Sequence, residues 1–202
     1  MHSIDPKKQQ ERDNYKLMTG AIIPRPVAFV LSKSTEGIVN AAPFSYFNIV
    51  SANPPLISVS IQRKNGVQKD SAKNIIDTKQ FVVHVTTEGI VENVNHTAAP
   101  LEHNDSELRL TDFTLVDSDV IDVPGVKEAP FWMECTLSQH ITDEDYPNFD
   151  LIIGKVERFH IDEAFYDNTN GHVDALGLQA ISRLAGNDYA KVGEKFTLER
   201  PK

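Results

Sequence analysis

Phe131 to Ile141 and Phe149 to Ile161 are the two longest strand-like runs in the chain, and the acidic stretch Asp143-Glu144-Asp145-Tyr146-Pro147-Asn148 joins them. Both are rich in apolar and β-branched residues, and a loop this short joins them as a hairpin. A slip in the alternation near Glu157-Arg158 predicts a β-bulge. Shorter strands precede the hairpin. Pro26 to Leu31 reads as a buried strand. Ile38 to Tyr46 reads as another, with Pro43 marking an edge or a bulge because proline cannot donate to a ladder. Leu56 to Ile61 follows the stop at Asn53-Pro54-Pro55. Gln80 to Thr86 places Phe81, Val83 and Val85 on one side and Val82 and His84 on the other.

Helical spacing is scarcer. Over Lys69 to Thr78, Ala72, Ile75 and Ile76 share one face, with Asp70 or Ser71 as N-cap. Glu88 to His96 predicts a short helix, and Leu176 to Leu184 a weak one. Residues 97–129 read as irregular and acidic, and Tyr189 onward as a tail. Many strands with few, short helices do not fit a doubly wound sheet. The expected fold is mainly β, an antiparallel barrel with a few short peripheral helices. A chain of 202 residues suits one domain. Its first 14 residues are polar and read as an N-terminal arm, leaving 15–202 as the domain.

The net charge is −9. Such a surface repels phosphate backbones and anionic lipid, which argues against nucleic-acid and membrane partners. No apolar stretch reaches membrane-spanning length, and the N-terminus has no apolar signal-peptide core. The one cysteine, Cys135, lies in an apolar run and reads as a buried small hydrophobe. These features point to the cytoplasm, where the sequons Asn95-His96-Thr97 and Asn104-Asp105-Ser106 are chance matches. No Gly-x-Gly-x-x-Gly, Walker loop or Gly-x-Ser-x-Gly elbow occurs. The histidines show no His-x-x-x-His spacing, and no protein-bound metal is expected.

Three stretches carry polar or special residues in apolar surroundings. Pro24 and Pro26 fix the backbone on both sides of Arg25, which suits an arginine that meets a ligand without flexing and equally a rigid lead-in to a strand. In Asn40 to Asn48, Ala41 and Ala42 let a flat ring approach, Phe44 gives a wall, and Ser45 and Asn48 offer donors and acceptors. An isoalloxazine ring needs that mixture, although a strand bulged at Pro43 accounts for the same residues. Ser60-Ile61-Gln62-Arg63-Lys64, followed by Lys69-Asp70-Ser71, forms a local basic cluster at a predicted helix start. Free N–H groups and the positive dipole end make such a place a phosphate seat. A plain cap with a solvated basic turn is the alternative.

In this order the motifs resemble the flavin reductase-like family, the FMN-binding split-barrel proteins that include flavoredoxin. The matching segments are Tyr15 to Gly20, Pro24-Arg25-Pro26, Asn40 to Phe47, Lys69-Asp70-Ser71 with Asn74-Ile75, Phe81 to His84, Thr97-Ala98-Ala99-Pro100 and Arg183 to Tyr189. The resemblance implies a Greek-key split barrel and a homodimer with FMN held noncovalently near the subunit interface. It sets Ala42-Pro43-Phe44-Ser45 along the ring and gives Ser60, Ile61, Gln62, Lys69 and Ser71 the ribityl and phosphate end. Arg183 and Tyr189 resemble the C-terminal part of the site, with Arg25, Pro26, Asn48, Arg63 and Ala98 completing the candidate set. The chain has Ala185-Gly186 where the family often has two glycines. The activity implied is an NAD(P)H-dependent flavin reductase in which hydride passes through FMN and the chemistry resides on the flavin. A flavoredoxin-like carrier serving a redox partner protein, or a flavin-binding protein without reductase activity, would need the same cradle.

Overall fold

The computed structural model describes residues 1–102 and 105–201; His103 and Asn104, with the start of the second sequon, lie outside the described residues. One antiparallel sheet of seven strands dominates: β1 (Ala28–Lys33), β2 (Val39–Phe44), β3 (Phe47–Ala52), β4 (Pro55–Gln62), β5 (Gln80–Val85), β6 (Phe131–Ile141) and β7 (Phe149–Ile161). Their order is β2-β1-β5-β6-β7-β4-β3. β2 and β3 follow one another in sequence yet sit at opposite edges, so the link Ser45-Tyr46 folds the sheet round on itself. The Ser60 amide, which donates to the Tyr46 carbonyl at 2.8 Å, ties that link to β4. The result is a split β-barrel.

The long hairpin is β6–β7, and its register shifts between Val156 and Arg158, where the alternation slips. A second shift, between Ile153 and Gly154, accompanies a close approach. A Cβ at Gly154 would stand 2.3 Å from Phe81 Cζ, so only glycine fits. Pro43 lies on edge strand β2, where its missing N–H costs no ladder bond.

The barrel interior is filled by Val30, Phe44, Val59, Ile61, Phe81, Val83, Cys135 and Ile152, together with Ala72 and Ile75 from helix α2 (Asp70–Thr78). On the outer face, Phe29, Leu31, Val82 and Trp132 pack against Val94 of α3 (Val91–His96) and against Val123 and Val126 of the acidic segment. β1 is thus covered on both faces, which explains its unbroken apolar run. His84 lies wholly inside this second cluster. Its Nδ1–H donates to the Phe29 carbonyl at 3.1 Å, and its Nε2 accepts from the Val126 amide at 2.9 Å. That pairing requires the neutral ring, and burial lowers its pKa from 6.5 to about 4, with the Phe29 carbonyl opposing and His160 adding to the shift.

Several expectations need correction. Glu11 to Ala21 form a helix, α1 in chain order, so the last four residues read as an arm are helical. The chain continues past Tyr46 into β3, which the sequence did not announce. Neither Asp70 nor Ser71 is the N-cap of α2; Lys69 occupies that position and makes no side-chain cap bond. Residues 176–184 are not helical. Ile181–Arg183 is a strand between Arg25–Pro26 and Tyr189–Lys191, which makes the start of the supposed tail a third strand of a small sheet. The segment 97–129 holds a 3-10 turn, Glu107–Leu110, and the short pair Leu115–Val116 with Gly125–Val126. No helix among the described residues is long and apolar enough to cross a membrane.

Candidate functional site

The predicted phosphate seat lies at the first turn of α2. Among the described residues its leading N–H groups have no side-chain cap, and such a helix start favours an anion. Lys69 stands at this end with no ion-pair partner among the described residues. It is exposed as a residue, yet its ammonium lies 5.6 Å from the centroid of the Phe44 ring. Surrounding protein, with Lys64 second, pulls its pKa below the usual lysine value. A lysine desolvated beside other cations is a fitting receptor for phosphate.

Phe44 is the last residue of β2 and lies within the segment Ala42-Pro43-Phe44-Ser45. The sheet order leaves β2 paired only to β1, so backbone groups on its other edge face away from the ladder. Phe44 itself is buried, while Ala42, Pro43 and Ser45 are half-buried. On neighbouring β4, Ile61 points into the core, and Ser60 and Gln62 face outward with Gln62 Nε2 donating to Ser60 Oγ at 3.1 Å. The lysine–Phe44 contact therefore joins two of the predicted stretches. A helix start without a side-chain cap, a lysine without an ion-pair partner among the described residues and an edge of small and aromatic residues are of the chemistry that a flavin would need. Asn48 sits nearby on β3, exposed, its Oδ1 accepting from the Ile49 amide.

Other candidates have internal partners. Ser71 is buried and donates its hydroxyl proton to Asn40 Oδ1 at 2.7 Å. Arg63 grips Asp150 through Nε and Nη2 at 2.9 and 2.7 Å. Asp150 is fully buried and also accepts from Gln68 Nε2 and the His140 ring, both at 2.9 Å. Burial alone would raise its pKa, but Arg63, His140 and Gln68 outweigh that and hold it below the usual range. The Arg63 guanidinium is thereby fixed at the end of β4 by its own aspartate.

Arg25 is also buried. It donates through Nη1 to the carbonyls of Thr19 and Ile22, and through Nη2 to that of Leu184. Its Nε has no hydrogen-bond partner among the described residues. The arginine thus fastens the end of α1 to the small C-terminal sheet, and it acts electrostatically on the half-buried Tyr46 hydroxyl. Pro26 is exposed beside it and pairs with Ser182. Arg183 stacks over Tyr189 at 4.4 Å, and the Tyr189 hydroxyl reaches Asn95 Oδ1 at 3.3 Å, one turn before exposed Ala98. These three residues gather around the C-terminus of α3.

Residues 19–177 match the flavin reductase like domain. The chain belongs to the flavin reductase-like family. It is similar to the crystal structure of nitrilotriacetate monooxygenase component B from Bacillus cereus, with 56% identity, 98% of each chain covered and a TM-score of 0.95. The 2-nitrobenzoate 2-nitroreductase NbaA of Pseudomonas fluorescens is 31% identical over 99% of this chain and 96% of its own, with a TM-score of 0.89. The uncharacterized protein YwrF of Bacillus subtilis is 48% identical across the full length of both chains.

Sequence reasoning missed Asp150, Glu107 and Glu134. Asp150 had a signal, because it occupies the buried side of β7 in step with Ile152. Glu134 has a similar place on β6. Its carboxylate accepts from the Asp119, Val120 and Ile121 amides and from His160 Nε2, drawing Asp119, Glu134 and His160 together. Those partners fill the Glu134 oxygens. Glu107 had no signal in a run of solvated acids.

Proposed function

We propose that this protein binds FMN and works as an NAD(P)H-dependent flavin reductase. The observation that carries the reading is Lys69, without an anionic partner among the described residues, between the uncapped start of α2 and the Phe44 ring. In this reading Lys69 and the first N–H groups of α2 hold the phosphate, while Ala42 to Ser45 and Asn48 flank the ring. Ser60, Gln62 and the Ile61 backbone border the ribityl chain. Bound flavin supplies hydride and electron transfer, and the protein orients it and excludes water. The family's flavin chemistry, and the similarity to a monooxygenase component and a nitroreductase, support an oxidoreductase over a passive binder.

The proposal includes a homodimer. The apolar stretches Phe44–Ile49 and Phe131–Leu137 leave room for a buried interface; in the second, Trp132 to Cys135 are buried within the protomer, and Phe131, Thr136 and Leu137 are half-buried. Ile22 and Ile23, just before Arg25, and Ile49 and Val50 on β3 are exposed apolar residues that a second copy would cover. A free, buried Cys135 suits a cytoplasmic, reducing setting. The test is NADH and NADPH oxidation by purified protein, with and without added FMN, alongside its visible absorbance. Flavin-dependent turnover supports the reading. Protein that neither retains nor reduces FMN overturns it, and light scattering at a mass near 22.6 kDa overturns the dimer.

A further inference from the structure

A carboxylate from the acidic segment reaches both halves of the proposed site. Glu107 begins the 3-10 turn Glu107–Leu110, which docks on β2 through the Ser106 hydroxyl, a donor to the Val39 carbonyl. Its Oε2 accepts from the Ala41 amide at 3.1 Å. Both its oxygens accept from Asn40 Nδ2, at 2.9 and 2.7 Å. With its nitrogen held there, Asn40 must turn Oδ1 away, and Oδ1 accepts the Ser71 hydroxyl. Ala41 adjoins the ring segment 42–45, and Ser71 lies in the first turn of α2.

We infer that Glu107 is a positioning residue of the flavin site, fixing the span between the ring segment and the phosphate seat through Ala41 on one side and the Asn40–Ser71 relay on the other. The inference rests on the FMN reading above. The choice of a carboxylate supports it. Glu107 is half-buried, has no basic partner among the described residues, and stands within electrostatic reach of Asp70. A negative charge beside an anion seat is a poor choice for affinity alone. An ionised carboxylate, however, only accepts, so it imposes one polarity on Asn40 and hence on Ser71; an amide could run the relay in either direction. Asn40 and Ser71 are both more than nine-tenths buried, so the relay has no competing solvent.

The test is fluorescence titration of FMN, riboflavin and lumiflavin against wild type, Glu107→Gln, Ser71→Ala and the double variant, with thermal midpoints measured alongside. Glu107→Gln keeps the shape and removes the enforced polarity. It should weaken FMN about 3- to 10-fold, the scale of one hydrogen bond, and leave lumiflavin within about 2-fold. Because both residues act through one relay, the double variant should be no weaker than the weaker single. Equal losses for all three flavins would make Glu107 a support of the fold and overturn the inference, as would additive losses or an unchanged FMN affinity. Wild type binding riboflavin as tightly as FMN would instead refute the phosphate seat itself.

Discussion

Lowering the pH should strip stability from this protein through His84, before its depressed carboxylates titrate. The ring is wholly buried, its Nε2 accepts from the Val126 amide, and protonation would set two N–H groups face to face. In the unfolded chain the ring titrates near 6.5, and in the folded protein near 4. Between those values the unfolded state binds more protons, so stability rises with pH. The His84 contribution is therefore complete above about pH 6.5, falls as the pH drops toward 4, and changes no further below that. A depression of this size corresponds to about 3 kcal/mol, with a limiting slope of roughly 1.4 kcal/mol per pH unit. Urea unfolding of wild type and His84→Gln from pH 8 to pH 4 would measure it. Glutamine can offer its Oε1 to Val126 but cannot titrate. The variant should start less stable and lose about 3 kcal/mol less across the range. Parallel curves for the two proteins would refute the reasoning and move the acid lability to another group.

Three further outcomes are expected. Lys69→Ala should weaken FMN by about 10- to 150-fold, the worth of a charge-assisted hydrogen bond, and leave riboflavin unchanged in fluorescence titration. Gly154→Ala should cost about 1–3 kcal/mol in chemical denaturation by driving a methyl into Phe81, and Phe81→Leu should recover part of that loss. Asp150→Ala should cost about 3 kcal/mol by leaving Arg63 without its carboxylate at the end of β4, and an unchanged urea midpoint would show the pair to be without net effect.

Much of the barrel was legible because its inner and outer residues differ. β6, β7 and their bulge stood in the sequence with their observed limits, and α2 was visible through Ala72 and Ile75. β3 was not, because Ile49 and Val50 are both exposed and a register shift at Val50 breaks the alternation. The strand Ile181–Arg183 pairs on one side with nearby Tyr189–Lys191 but on the other with Arg25–Pro26, far away in sequence, which local pattern cannot reveal. The site divides in the same way. Lys69 and Phe44 were readable from composition and spacing, and the structure sets them against each other. Arg63 and Ser71 looked equally free in sequence, but Asp150 and Asn40, 87 and 31 residues away, already hold them.

The two-residue link between β2 and β3 makes the barrel a clasp rather than a weld. Its outermost strands are joined by covalent chain at Ser45-Tyr46, not zipped by a ladder along their length, so part of each edge keeps unmatched amides and carbonyls. A flat heterocycle with its own donors and acceptors, seated on that edge, would do the work of an eighth strand. Stripping it away would bare a template of the kind that recruits other chains. The flavin-free protein should therefore be the stickier form, and saturation with cofactor should slow its self-association as well as enable its chemistry.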